Sequence, residues 1–162
     1  MYQEQVRILA DAGIDLIAAE TMINIEETLA AVDAASSVCD LPIMCTMTVE
    51  ADGSIFSGGN AIEASVSLEA AGADAVGINC SVGPDQLVSV VRSIKENVSI
   101  PVIAKPNAGM PTIDDKGQAV YSMNAEDFAS YMKVLIESGA SVVGGCCGTT
   151  PAFIKALHDS IR

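Results

Sequence analysis

The chain has 162 residues, the length of one domain and enough to bury a hydrophobic core. Half of its residues are apolar and its mean hydropathy is +0.40, yet no apolar run approaches the ~18 residues of a membrane-spanning helix. Twenty-one Asp and Glu against eight Lys and Arg leave a net charge of −13, and aromatics make up 4% with no Trp, so nucleic-acid phosphates, stacked bases and anionic membranes are all poor partners.

The elements follow in chain order. The first helix is expected over about residues 2–12 and gives way at Gly13 to a buried strand reaching Glu20. Asn24 opens a second helix ahead of Ile25-Glu26-Glu27. Leu41-Pro42-Ile43-Met44-Cys45 starts a strand ending near Val49, and residues 53–60 read as a lid or a plain connection. Asn60 opens a third helix carrying Val66, Leu68, Ala70 and Ala71, and a strand follows Gly72 as far as Cys80. Pro84 marks a first helical turn ahead of Leu87, Val90, Val91 and Ile94. Ile100-Pro101-Val102 then enters a strand ending near Asn107. Residues 108–123 form a long loop in which Asp114-Asp115-Lys116-Gly117 reads as a turn, either the tip of a small hairpin or part of a disordered stretch. Asn124 opens a helix with Phe128, Tyr131, Met132 and Leu135. A strand follows Gly139 toward Cys147, and Thr150-Pro151 opens the last helix.

Similar segments recur at helix ends around Gly13, Gly72 and Gly139, and Pro42 and Pro101 mark a second series with the same 59-residue spacing as Gly13 and Gly72. Strands alternating with helices imply a parallel sheet with right-handed crossovers, doubly wound or closed into a barrel. Likeness between alternate strands favours the barrel, whose interior layers draw on odd and even strands in turn. A full barrel needs about 250 residues. The expected fold class is therefore α/β, a partial (β/α)8 TIM barrel of about five βα units, strands 4 to 8, with bare edges near residues 15–20 and 141–146.

Parallel architectures gather functional groups at the carboxyl ends of strands. The residues expected there are Glu20-Thr21, Asn79-Cys80, Lys105 with Asn107, and Cys146-Cys147. Cys80 and Cys146 lie 66 residues apart, two βα units, which puts them on alternate strands of one rim. Neighbouring strand residues point to opposite faces. Cys146 and Cys147 can thus meet at one point only if the strand ends beside them, and Gly144-Gly145 and Gly148 give the backbone that freedom. Three thiolates suit Zn²⁺ with a fourth tetrahedral position open, where an external thiol would become a nucleophile for alkyl transfer to sulfur. The alternative for these cysteines is packing, the reading adopted for Cys39 and Cys45. The single histidine, His158, reads as a surface residue of the last helix. Glu20 reads either as a solvated loop acid or as a ligand for a substrate ammonium.

On these residues the chain resembles the homocysteine S-methyltransferase family. Gly77-Ile78-Asn79-Cys80 and Gly144-Gly145-Cys146-Cys147-Gly148-Thr149-Thr150-Pro151 look like its two zinc motifs. Pro106-Asn107-Ala108-Gly109-Met110-Pro111 and Ala19-Glu20-Thr21-Met22 look most like the homocysteine domain of cobalamin-dependent methionine synthase. The resemblance implies that Cys80, Cys146 and Cys147 hold Zn²⁺ and that homocysteine sulfur completes the tetrahedron before accepting a methyl group to give methionine. It further implies that Glu20, Asn79 and Asn107 bind substrate, Glu20 through its amino group and Asn107 close to the metal, in the open position when substrate is absent. Methylcobalamin, recharged from methyltetrahydrofolate, would be the indirect donor, carried on separate cobalamin- and folate-binding modules. The family's first three strands have no counterpart, so residues 1–162 are expected to form a single partial barrel domain without the N-terminal three βα units, partnered by the missing half. With no basic segment leading into an apolar stretch at the N-terminus, the cytoplasm is the expected location. Two other readings stand beside this one. One is a metal-free barrel enzyme binding phosphate at Thr149 and Thr150. The other is a non-catalytic remnant that associates through its bare edges.

Overall fold

Asparagine starts three of the helices by the same local chemistry. Its side-chain oxygen accepts from backbone N–H groups that the first turn leaves unpaired: Asn24 from Glu27, Asn60 from Ile62 and Glu63, and Asn124 from Asp127. The computed structural model covers all residues, Met1–Arg162. Its order is α1 (Tyr2–Asp11), β1 (Ile17–Met22), α2 (Ile25–Ser36), β2 (Ile43–Met47), α3 (Ala61–Ala70), β3 (Ala75–Cys80), a 3₁₀ turn (Pro84–Gln86), α4 (Val88–Asn97), β4 (Val102–Pro106), β5 (Pro111–Ile113), β6 (Ala119–Tyr121), α5 (Ala125–Glu137), β7 (Ala140–Val143) and α6 (Pro151–Ser160).

Five strands pair in the order β1-β2-β3-β4-β7, every neighbour parallel, as expected for consecutive units of a barrel. β5 and β6 form a separate antiparallel hairpin, which settles the character of the long loop. One face of the sheet packs on helices. Cys45 and Met47 of β2, Val76 and Ile78 of β3, and Val102 and Ala104 of β4 join Val32, Leu68, Val91, Ile94, Met132 and Leu135 in one buried cluster. Phe128 of α5 meets Phe153 of α6 edge to face at 5.5 Å between centroids, which ties the last unit to the one before it. The alternate residues, among them Ala18, Glu20, Met44, Thr46, Ile103 and Lys105, line the other face. In β1 that face stays open, and Ala18 and Glu20 are exposed.

Strand and helix ends depart from the sequence expectation in instructive ways. β1 continues past Glu20 to Met22. β2 stops at Met47, and Val49 instead bridges antiparallel to Ile55, which anchors the stretch at residues 53–60 on the rim. Pro84 starts a 3₁₀ turn, and the α-helix proper begins only at Val88. β7 ends at Val143 rather than near Cys147, because Gly144-Gly145 lets the backbone bend away. Even so, the Gly144 N–H donates to the Ala104 carbonyl (3.2 Å) and the Cys146 N–H to the Pro106 carbonyl (2.9 Å). The bent segment therefore stays beside β4. Pro106 is also the register partner of Cys80. Cys80 and Cys146 thus flank the same residue of the strand between them.

Candidate metal centre

At the carboxyl end of the sheet, the ligand atoms of Cys80, Cys146 and Cys147 all lie within 4.8 Å of one another. The Cys80 and Cys147 sulfurs are 3.6 Å apart. Two thiolates at about 2.3 Å from one tetrahedral zinc stand about 3.8 Å apart, so the spacing fits that ion. Burial raises the Cys80 thiol to about 11, and the neighbouring Cys147 and Cys146 thiols push the same way. Without a cation it stays protonated at neutral pH. Such a sulfur becomes a good ligand only when a metal displaces its proton.

The backbone around the thiols is held in uncommon conformations. Cys80 and Ser81 take φ of 64° and 62°, a left-handed turn at the end of β3 that swings the Cys80 side chain off the strand alternation. Across the rim, Gly148 takes φ of 80°, and a Cβ there would fall 2.3 Å from the Tyr121 ring. The hairpin thus lays Tyr121 against the cysteine loop. Its phenol pKa is raised by desolvation first and by the Cys147 thiol next. Tyr121 was missed by sequence reasoning, because no motif spacing links the base of a hairpin to a turn 27 residues away.

Two buried asparagines position the cysteines. Asn79 Oδ1 accepts from the Thr46 hydroxyl (2.7 Å) and the Thr21 N–H (2.9 Å). Its Nδ2 donates to Thr21 Oγ1 (2.7 Å) and toward the Cys146 sulfur at 3.7 Å. Asn107 Oδ1 accepts from the Cys147 N–H at 3.1 Å, and its Nδ2 donates to the Ser81 carbonyl at 2.9 Å. Asn107 therefore cross-links the two cysteine-bearing loops. The Thr149 hydroxyl donates to the Cys146 carbonyl at 2.7 Å and closes the turn.

Glu20 stands outside the thiol cluster and pairs with the Lys105 ammonium. His158 is exposed on α6. Cys39 is half-buried. Cys45 is fully buried in the core, and burial pushes its thiol up to about 12.

The homocysteine S-methyltransferase family model matches residues 1–161. Methionine synthase from Mycobacterium tuberculosis is 34% identical over 166 residues, covering 99% of this chain and 14% of the relative. Homocysteine S-methyltransferase 3 of Zea mays is also 34% identical over 166 residues, covering 99% of this chain and 48% of the relative. The chain thus spans less than half the length of these curated relatives. Among solved structures, the apo form of the homocysteine methyltransferase MmuM from Escherichia coli superposes with a TM-score of 0.78 at 25% identity, over 98% of this chain and 56% of that one. A phosphonopyruvate hydrolase at 17% identity, with a TM-score of 0.69, shares the fold alone. With its two cysteine motifs brought together on a five-strand parallel sheet, the chain belongs to the homocysteine S-methyltransferase family.

Proposed function

We propose that residues 1–162 form the zinc-binding, C-terminal five-strand domain of a methyltransferase that methylates the thiol of homocysteine to give methionine. The observation that carries this reading is the meeting of three thiols from two separate loops at zinc-compatible spacing. Cys80, Cys146 and Cys147 would hold the ion, which when bound supplies the Lewis acidity that turns a substrate thiol into a nucleophile at neutral pH. The chain's own residues do the positioning. Asn79 aims an amide N–H at the Cys146 sulfur, and Asn107 fixes the Cys147 backbone against the Cys80 loop. Glu20, at the end of an open strand face, would receive the substrate's ammonium. Asn79 and Asn107 would shape the substrate's surroundings from behind the ligands.

The likeness to methionine synthase supports methylcobalamin as donor, recharged from methyltetrahydrofolate on separate modules, with the remaining strands of the barrel as the structural partner. No helix is long and apolar enough to cross a membrane, and the cytoplasm suits a site built of reduced thiols. The phosphate reading draws less support, since the Thr149 hydroxyl is already committed to the Cys146 carbonyl.

Metal analysis of the protein purified under reducing conditions tests the reading. About one zinc per chain is expected, lost on Cys80→Ser or Cys146→Ser with the circular-dichroism spectrum retained. Protein free of zinc after incubation with the ion would end it.

A further inference from the structure

Three cysteine sulfurs around one ion raise a question of selectivity. A thiol that gives up its proton to a metal stays a nucleophile, and this holds for the protein's own cysteines as much as for a substrate. We propose that Tyr121 is a shielding residue that covers the Cys147 sulfur, so that the methyl group goes to the incoming thiol and not to this ligand. This rests on the reading of the cluster as a metal centre for methyl transfer to sulfur.

The need for cover is greatest at Cys147. Cys80 and Cys146 are half-buried, whereas Cys147 is exposed. The Asn79 amide donates toward the Cys146 sulfur at 3.7 Å. Burial raises the Cys80 thiol, and a hydrogen bond from the Ser81 N–H works against that rise. Cys147 has no such N–H donor, and its sulfur stands 3.6 Å from that of Cys80.

The backbone brings Tyr121 to that exposed side. The Ala108 N–H donates to the Cys147 carbonyl at 2.9 Å, and the Met123 N–H donates to the Ala108 carbonyl at 3.0 Å. Tyr121, two residues before Met123, is thereby tied to the cysteine loop through two backbone hydrogen bonds. Its pairing with Pro111 fixes it at the base of the hairpin. Gly148, the residue after Cys147, removes the side chain that would block the approach. A Cβ there would fall 2.3 Å from Tyr121 Cγ, 2.5 Å from Cδ2 and 2.8 Å from Cδ1, so the half-buried ring lies directly on this glycine. The phenol faces the sulfurs: desolvation raises its pKa first, and Cys147, then Cys80 and Cys146, raise it further. A hydroxyl so placed donates to a Cys147 thiolate and draws charge from its sulfur, while the ring keeps an electrophile off the exposed side.

The test is methylation of the whole, zinc-loaded chain by iodomethane. A cysteine sulfur forms the new S–CH3 bond with its lone pair, the C–I bond breaks, and iodide leaves with the bonding electrons. Tandem mass spectrometry of the peptides counts the product at each cysteine, and zinc is measured on the same samples. In the parent, Cys147 is expected to react no faster than Cys146 in spite of its exposure. Tyr121→Ala should raise the ratio of Cys147 to Cys146 methylation by about tenfold or more. Tyr121→Phe, which keeps the ring, should raise it by about threefold or more, in line with one lost hydrogen bond. A loosened fold would instead expose Cys45, which is fully buried in the core. An unchanged ratio in Tyr121→Ala, with zinc retained and Cys45 unreacted, overturns the shield and leaves the metal reading standing. Should that variant lose zinc or react at Cys45, an unchanged ratio in Tyr121→Phe overturns it by the same criterion. A parent chain that binds no zinc removes both readings together.

Discussion

Asn79 is one residue behind Cys80, and all of its side-chain capacity is used. Two donors converge on its oxygen and two acceptors, one of them a sulfur, receive its N–H groups. Asn79→Asp keeps the shape but removes both donors and adds a negative charge facing Thr21 Oγ1 and the Cys146 sulfur. Loss of such an outer partner is expected to weaken zinc binding by 10- to 100-fold, about the range typical of supporting residues at metal sites. Competition with a chromogenic chelator measures this, and an affinity equal to the parent's would contradict the role given to Asn79. Sequence motifs pointed to this residue and to Asn107 as substrate groups. Their observed hydrogen bonds tie Asn107 to the two cysteine loops and Asn79 to Thr21, Thr46 and the Cys146 sulfur, because burial leaves a polar side chain no choice but to pair with what surrounds it.

At the level of elements, the strands were legible because buried parallel strands are continuous apolar runs, and helix starts were legible because asparagine capping is a local bond. The bent ends of β1, β2 and β7 were not, since they depend on which neighbour offers the next hydrogen bond. β3 shows how tightly the sheet itself is built. Gly77 faces Ile103 across the β3–β4 pairing, and a Cβ there would fall 2.0 Å from the Ile103 carbonyl oxygen. The obstacle is backbone, which cannot rotate away as a side-chain tip does. Gly77→Ala should therefore cost about 3 kcal/mol or more, at the upper end for overpacked sites. Urea unfolding would reveal it as a lowered midpoint, whereas an unshifted midpoint would mean that β3 and β4 separate more easily than their ladder suggests.

For the molecule as a whole, β1 and β7 each have one strand partner, and their outer edges carry unpaired N–H and carbonyl groups. An apolar groove of about 340 Å³ runs beside β1, lined by Val6, Leu9, Ile14, Leu16 and Ile17. Surface of this kind in isolation drives association. The 162-residue chain is expected to gain apparent mass with concentration in sedimentation or light scattering. A monodisperse monomer across a wide concentration range would show that these edges are adequately protected. Composition, charge, the order of βα units and the two cysteine motifs were determined by sequence alone, since each is a property of a short stretch or of a sum over the chain. Only the tertiary structure decided that Cys146 and Cys147 turn toward Cys80, that Tyr121 covers Gly148, and that Glu20 meets Lys105. Those outcomes depend on strand register and on left-handed turns, which set where a side chain points and which distant part of the chain it meets.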